Sequence, residues 1–457
     1  MRQEDTIAAI ATGMSPSGIG IIRVSGREAF EKISSVFRVR SGEAKNIASM
    51  ESHSVHYGYI CDGDIIIDEV LLILMKAPKS YTTEDTVEIN CHGGPFVLKR
   101  VLDVVLSTGI RAAEPGEFTE RAFLNGRIDL SEAQAVMDLI SSKNEFARNN
   151  SIKNLKGSVK NKIVELRNRI IHECAYIESA IDDPEHYELE GFSDKLKITV
   201  KDIVSEIEGL IKSFDTGKLL NEGVNCCIIG RPNVGKSSVF NAMTGEEKAI
   251  VTNIPGTTRD TIETMINYEG LTLKLTDTAG IRDTEDKVEI IGIDRAKDAI
   301  ERSDVIFAVF DSSENITDED REILSLCENR KAIIVLNKSD LDSHIDENDF
   351  LDFNIIKTSV KTGEGIEELF KEVSKLFFNG ELNFNDEIYI TSARQAELLK
   401  KSKEALLLVI ESIDNDMSEE FLTSDLMEAY GRLGEIIGEE IEDDLAETIF
   451  RDFCMGK

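Results

Sequence analysis

Gly230 to Ser237 read GRPNVGKS, and the apolar, strand-like run Val224 to Ile229 leads directly into them. Gly, Pro and Asn are turn-formers, so the pattern is a strand, a tight loop and then a helix. That is the layout of a phosphate-binding P-loop. Backbone N–H groups wrap a di- or triphosphate, Lys236 reaches the β and γ oxygens, and the Ser237 hydroxyl holds Mg²⁺ at a helix N-terminus. A chance glycine-rich turn is the bland alternative, and the strand-then-helix context counts against it. The predicted contacts in this loop are Asn233, Val234, Gly235, Lys236, Ser237 and Ser238.

Three later segments follow in the order a nucleotide switch requires. Leu271, Leu273 and Leu275 alternate as a strand that delivers Asp277, Thr278, Ala279 and Gly280. Asp277 is placed to hold Mg²⁺ through water, and Gly280 lets its N–H approach the γ-phosphate. The apolar run Ala332 to Leu336 ends in Asn337, Lys338, Ser339 and Asp340. There the Asp340 carboxylate can accept both the ring N–H and the exocyclic amine of guanine, a donor pair adenine lacks. Ser359 and Lys361, after Ile355 and Ile356, are expected to close the base pocket from behind. Alone, the NKSD match is weak and reads equally as a surface turn; four ordered matches point to GTP.

Between the P-loop and Asp277 lies Ile250 to Asp260, IVTNIPGTTRD, where a GTPase places its first mobile switch. Thr252, Asn253, Ile254, Pro255, Gly256, Thr257 and Thr258 are its predicted nucleotide contacts, with Thr258 the candidate Mg²⁺ ligand. Where Ras-like proteins carry a water-orienting Gln, this chain has Ile281 and then Arg282, so hydrolysis needs another device. Arg282 is a candidate for that role. Glu285, Asp286 and Glu289 are the carboxylate candidates, set against a solvated acidic face.

The chain has 457 residues, 41% of them hydrophobic, which suits about two to four globular domains. Its longest apolar runs, such as Val70 to Met75, fall short of the roughly 20 residues of a membrane helix, and Met1 to Asp5 is not a basic leader. A cytoplasmic protein is expected. The seven cysteines form no CxxC pair, which argues for reduced thiols. A formal net charge of −34 excludes generic attraction to a polyanion as the main source of nucleic-acid affinity.

Residues 1–118 show short alternating segments and turns, as in an α+β domain. In Thr86 to His92, Val87, Ile89 and Cys91 face a core, leaving Glu88, Asn90 and His92 opposite, and Pro95 suits the first position of a helix. Residues 119–216 become helical, with Ala133, Val136, Met137 and Ile140 in one stripe and Ile163, Leu166 and Ile170 continuing it. Asp182-Asp183-Pro184 interrupts the run. Helical spacing returns in 380–457, where Leu398, Ser402, Ala405 and Val409 align. The predicted architecture is multidomain: an α+β N-terminal domain, an all-α helical domain split in sequence, and an α/β P-loop GTPase domain, residues 217–379, inserted between its halves. Phe214 to Gly223 and Phe377 to Glu387 read as linkers whose glycines are candidate hinges.

Taken together, GRPNVGKSS, IVTNIPGTTRD, DTAGIRDTEDKVEIIGIDRA and the terminal CMGK resemble the MnmE (TrmE) family of tRNA-modification GTPases. DTIAAIAT, GIGIIRVSG, SYTTEDTVEINCHGGP and EPGEFTERAFLNGRIDLSEAQAV extend the likeness over almost the full length. The resemblance implies a K⁺-stimulated GTPase, with Asn233, Thr252, Ile254 and Thr257 as K⁺ contacts and Glu289 positioning the attacking water. It implies a tetrahydrofolate-binding fold in the N-terminal domain, with 5-formyl- or 5,10-methylene-tetrahydrofolate contacted by Arg23, Glu88, Arg127 and Lys457; Arg127 stands where some members have lysine. Cys454 becomes a candidate for the modification chemistry, although from the residues alone the tail reads as a frayed end.

The implied partners are a second copy of the chain and the FAD flavoprotein MnmG (GidA), in a heterotetramer-like complex. That partner would supply most contacts to tRNA, which reconciles the family reading with the negative charge, and no membrane is involved. An Era-like ribosome-assembly switch without covalent RNA chemistry is the alternative; it expects a basic RNA module that the sequence does not display. Replacing Asp340 with Asn should move nucleotide preference from guanine to xanthine by about two orders of magnitude, measured as the ratio of GTP to XTP turnover.

Overall fold

The computed structural model describes residues 5–41, 43, 46–183, 191–245, 250–252, 263–268, 270–276, 299–378, 388–439, 449–451, 453 and 456. They form two compact units: 1–137 with 154–200 and 404–457, and 138–153 with 201–403.

In the first unit, seven strands form one sheet: β1 (Ile7–Ile10), β2 (Gly20–Ser25), β3 (Phe37–Val39), β4 (Ser54–Asp62), β5 (Ile65–Met75), β6 (Thr86–Cys91) and β7 (Arg111–Ala112). Their spatial order is β3-β4-β5-β6-β2-β1-β7, and every pairing is antiparallel except β1 with β7. Val87, Ile89 and Cys91 point into the core, as their alternation requires, together with Ile22, Val24 and Leu72. The helix Pro95–Ser107, with proline in its first turn, contributes Leu98, Val101 and Val105 to that core, and Ala29–Val36 contributes Phe30 and Ile33.

The helical part of this unit includes Ser158–Asp182 and Glu419–Ile437, which pack on each other. Ile163, Leu166 and Ile170 are fully buried along the first, and its helix ends at Asp182, ahead of the proline. Leu398, Ser402, Ala405 and Val409 form a buried stripe in Ala393–Asp414, a helix whose residues up to 403 belong to the second unit. Ile140, which belongs to the second unit, departs from the expected stripe: Ala133 and Val136 are buried, but Ile140 is 45% exposed.

The second unit is an α/β sheet of seven strands: β8 (Val224–Ile229), β9 (Ile250–Thr252), β10 (Glu263–Tyr268), β11 (Leu271–Thr276), β12 (Val305–Asp311), β13 (Ala332–Asn337) and β14 (Asn354–Thr358). Their order is β14-β13-β12-β8-β11-β10-β9. The first five are parallel, and β10 runs antiparallel to both β11 and β9. Every residue of β12 and β13 is buried, the near-continuous apolar run expected when helices cover both faces of a parallel sheet. Two apolar cores result, one on each face.

The chain is therefore multidomain, combining an α+β N-terminal region, a helical region and an α/β P-loop unit. One expectation is corrected. Phe214 to Glu222 is no linker: one helix, Phe192–Glu222, runs through it and ends before Gly223. Gly217 sits inside that helix because a Cβ there would come within 2.6 Å of the Ile390 carbonyl oxygen; it serves close packing, not hinging. Most of the second expected linker, 379–387, lies outside the described residues.

A buried ionic network ties the helix Glu117–Leu124 to the N-terminal sheet. Arg121, 3% exposed, reaches Asp5 at 2.7 Å, Glu117 at 3.0 Å and Glu84 at 3.2 Å. Burial alone would raise the Glu117 carboxyl, but the Arg111 guanidinium, the Glu114 N–H and Arg121 outweigh it and hold it below the usual carboxylate range. A depressed folded-state value means that the stabilisation is complete above the ordinary carboxylate range and is lost as pH falls through it. Arg121→Ala would take one cation away from Glu117, Asp5 and Glu84, while Arg111 still pairs with the first two and Ser25 Oγ still donates to the third. It should destabilise the sheet by about 1–3 kcal/mol at neutral pH and by less in acid, read from hydrogen exchange of β1 and β2 amides in the full chain.

Candidate functional site

β8 is the central strand of the seven, parallel to both its neighbours β12 and β11, and its carboxyl end delivers the glycine-rich loop. Open α/β sheets bind ligands at such strand ends. The loop turns through positive φ at Gly230 (152°), Asn233 (65°) and Gly235 (101°). Gly235 precedes the helix Lys236–Thr244, whose N-terminus has no side-chain cap, so its first amide donors remain for an anion. A Cβ at Gly235 would meet Asn337 Nδ2 at 2.2 Å, which leaves glycine as the fitting residue. Lys236 Nζ donates to the Arg231 carbonyl at 2.8 Å and so folds back over the loop. Val234 is buried, whereas Ser237 and Ser238 are open to solvent.

The base side is built from the ends of β13 and β14. Asn337, 3% exposed, donates through Nδ2 to the Val234 carbonyl at 2.9 Å and so fastens the NKSD segment to the phosphate loop. Thr358 Oγ1 supports its other side-chain atom at 3.4 Å. Asp340 accepts a hydrogen bond from Ser359 Oγ at 2.9 Å and lies 3.7 Å from Lys361 Nζ. The Ser359 hydroxyl, followed by the nearby Lys361 charge, holds its carboxyl below the usual range, so it is an ionised acceptor at neutral pH. Asn337, Lys338, Asp340, Ser359 and Lys361 thus come together, and Asn337 joins them to the loop Asn233–Ser238.

Several predicted residues lie outside the described ones: Asn253, Ile254, Pro255, Gly256, Thr257, Thr258, Asp277, Thr278, Ala279, Gly280, Arg282, Glu289, Cys454 and Lys457. Thr252 is the last residue of β9, register-paired with Met265 of β10. Sequence reasoning missed two anchors. Asp311, ending β12, forms an ion pair with Lys338, and Arg231 of the P-loop pairs with Glu314 and with Asp320, the latter at 3.2 Å. A carboxylate directly after the apolar run Val305 to Phe310 was the available signal.

A second polar cluster occupies the N-terminal sheet. Arg23 and Glu88 face each other in the β2–β6 register, and Arg23 donates to Glu88 Oε1 through Nε at 2.9 Å and Nη2 at 2.8 Å. Its Nη1 donates to the carbonyl of Gly456 at 3.1 Å, bringing the end of the chain to this pair. The guanidinium lies 5.6 Å from the Tyr81 ring centre and 5.7 Å from that of Phe118. Arg127 flanks the same tyrosine: it lies 4.8 Å from the ring and donates to the Tyr81 carbonyl at 2.7 Å. Arg23, Glu88 and Arg127 are therefore assembled around two aromatic rings, Tyr81 and Phe118, that their motifs contain but that were not singled out.

Comparison with known proteins shows the family of the chain. Residues 6–127 match the family model of the GTP-binding protein TrmE N-terminus, and residues 130–454 that of the MnmE helical domain. The tRNA modification GTPase MnmE of Lachnoclostridium phytofermentans is 52% identical over 456 residues, 99% of both chains. That of Natranaerobius thermophilus is 44% identical over 461 residues, 99% of this chain and 100% of its own. The Geobacillus kaustophilus protein of the same name is also 44% identical, over 464 residues and the whole of both chains. With likeness of this degree from end to end, the chain belongs to the MnmE (TrmE) family of tRNA modification GTPases.

Proposed function

We propose that this chain is a K⁺-stimulated GTP hydrolase that acts with an FAD-bearing partner of the MnmG (GidA) type to form the carboxymethylaminomethyl group at C5 of the wobble uridine in certain tRNAs. A reduced folate, 5-formyl- or 5,10-methylene-tetrahydrofolate, supplies the one-carbon unit. The observation that carries the reading is that one chain holds both a P-loop locked to an NKSD segment and, in a separate unit, a carboxylate–guanidinium pair that meets the chain end.

The uncapped helix behind Gly235 suits the phosphates, and Ser237 with Thr258 would hold Mg²⁺. Asp340 suits the two guanine donors, with Ser359 and Lys361 behind it. In this reading Asn233, Thr252, Ile254 and Thr257 hold K⁺, which neutralises charge that an arginine finger meets in other GTPases. Glu289 orients the water, and Arg282 acts beside it.

In the N-terminal cluster, Arg23 occupies only Oε1 of Glu88, which leaves its second oxygen for a pterin ring N–H and amino group. Tyr81 and Phe118 offer apolar ring surface, and Arg127 with Lys457 would meet the folate carboxylates. Cys454, two residues before Gly456, belongs to the same end of the chain as the modification candidate. A second copy is the occupant proposed for the open sheet face where the paired Tyr57 and Leu71 are 42% and 46% exposed. Among the described residues no helix is long and apolar enough to cross a membrane. With a net charge of −34, tRNA would be held mainly by the partner, in the cytoplasm.

Replacing K⁺ by Na⁺ should lower GTP turnover by about tenfold or more. Glu289→Ala should abolish turnover while GTP affinity is kept. Mass spectrometry of tRNA nucleosides from cells lacking the protein should show loss of 5-substituted wobble uridines; unchanged nucleosides would overturn the tRNA assignment while leaving the GTPase standing.

A further inference from the structure

Lys338 and Arg231, cations of the base loop and the phosphate loop, are both held by carboxylates from one stretch, Asp311 to Asp320. Asp311 is 4% exposed and register-paired with Asn337 across β12 and β13. One of its oxygens forms the ion pair with Lys338 Nζ. The other accepts from the backbone N–H of Ser313 at 3.0 Å and from its hydroxyl at 2.6 Å. The Ser312 N–H donates to the Asn337 carbonyl at 2.9 Å, so the carboxylate is fixed to the strand end that carries the base loop.

Lys338 itself has φ +62°, outside the extended geometry of β13, so strand geometry does not aim its side chain. A lysine has many rotamers and a single point charge, and a fixed carboxylate is what restricts it. Burial alone would raise the Asp311 carboxyl, but Lys338 and Ser313 outweigh it and hold it below the usual range, so the carboxylate is ionised at neutral pH. Lys338 stands between Asn337, which grips the phosphate loop, and Asp340, two positions on.

We infer that Asp311 is a positioning residue for guanine-nucleotide binding: it fixes Lys338, and with it the base loop, in the binding arrangement before the nucleotide arrives. The inference rests on the reading of this pocket as the GTP site. Preorganisation of this kind appears in affinity, because a loop that must be ordered on binding weakens the complex.

The test uses the full chain, a fluorescent GDP analogue for Kd and steady-state GTP hydrolysis. Asp311→Asn is expected to raise Kd about tenfold and KM to a similar extent, with a smaller change in kcat. Lys338→Met, which leaves the end of β12 intact, should show a comparable loss. Adding Asp311→Asn to Lys338→Met should change Kd by less than about twofold, because the two residues act as one unit. An unchanged Kd in either single variant overturns the inference. So does an equal further loss in the Lys338→Met background, which would mean a general structural role. Lys338→Met carries the test if thermal unfolding shows Asp311→Asn to be unfolded. Failure of the unaltered chain to bind the analogue would remove the assignment of the pocket, and the inference with it.

Discussion

The hydrogen bond from Asn337 Nδ2 to the Val234 carbonyl is the constraint on which the nucleotide half of the molecule depends. In the proposed site the phosphate loop comes from the end of β8 and the base loops from the ends of β13 and β14, with β12 lying between β8 and β13 in the sheet. A parallel sheet brings these ends to one edge, but alone it leaves their loops free to differ by the ångström or so that decides affinity. A buried amide fixed to a loop carbonyl removes that freedom. Gly235 completes the fit, since any side chain there would displace the Asn337 amide.

The charge balance constrains how such a chain can bind anions. With a net charge of −34, it cannot hold nucleotide phosphates through a diffuse positive field. The local cations are also tied down: Arg231 faces Glu314 and Asp320, and Lys338 faces Asp311. What remains is short-ranged and directional: the uncapped amides of Lys236–Thr244. Backbone dipoles of this kind are indifferent to the charge of the rest of the protein, so an acidic chain can still present a phosphate site.

This division also explains what could be read from the sequence. The strand before the P-loop, the alternating Leu271, Leu273 and Leu275, the buried face of β6 and the stripe through Leu398, Ser402, Ala405 and Val409 are local patterns, and all appear in the structure. Asp311 and Lys338 are 27 positions apart, and Arg121 and Asp5 are 116 apart; no local period announces such pairs. Tyr81 and Phe118 were hidden for the same reason, since only the fold brings them beside Arg23. The mistaken linker shows the converse error. Gly217 weakens a helix intrinsically, but thirty-one residues of helix and a close approach to the Ile390 carbonyl override that local preference.

Both polar clusters use the same device. Arg23 and Glu88 are opposite one another in the antiparallel β2–β6 register, and Asp311 is register-paired with the residue just before Lys338 in the parallel β12–β13 pair. In each case a flexible cation is oriented by a carboxylate whose own position is set by a sheet ladder, so its geometry is settled before any ligand enters. Orientation by rigid elements keeps the ordering cost out of the binding step. Cation and carboxylate largely neutralise one another, so these pairs supply shape and direction more than net charge. That is the form of polar site an acidic chain can build twice without adding basic residues to its surface.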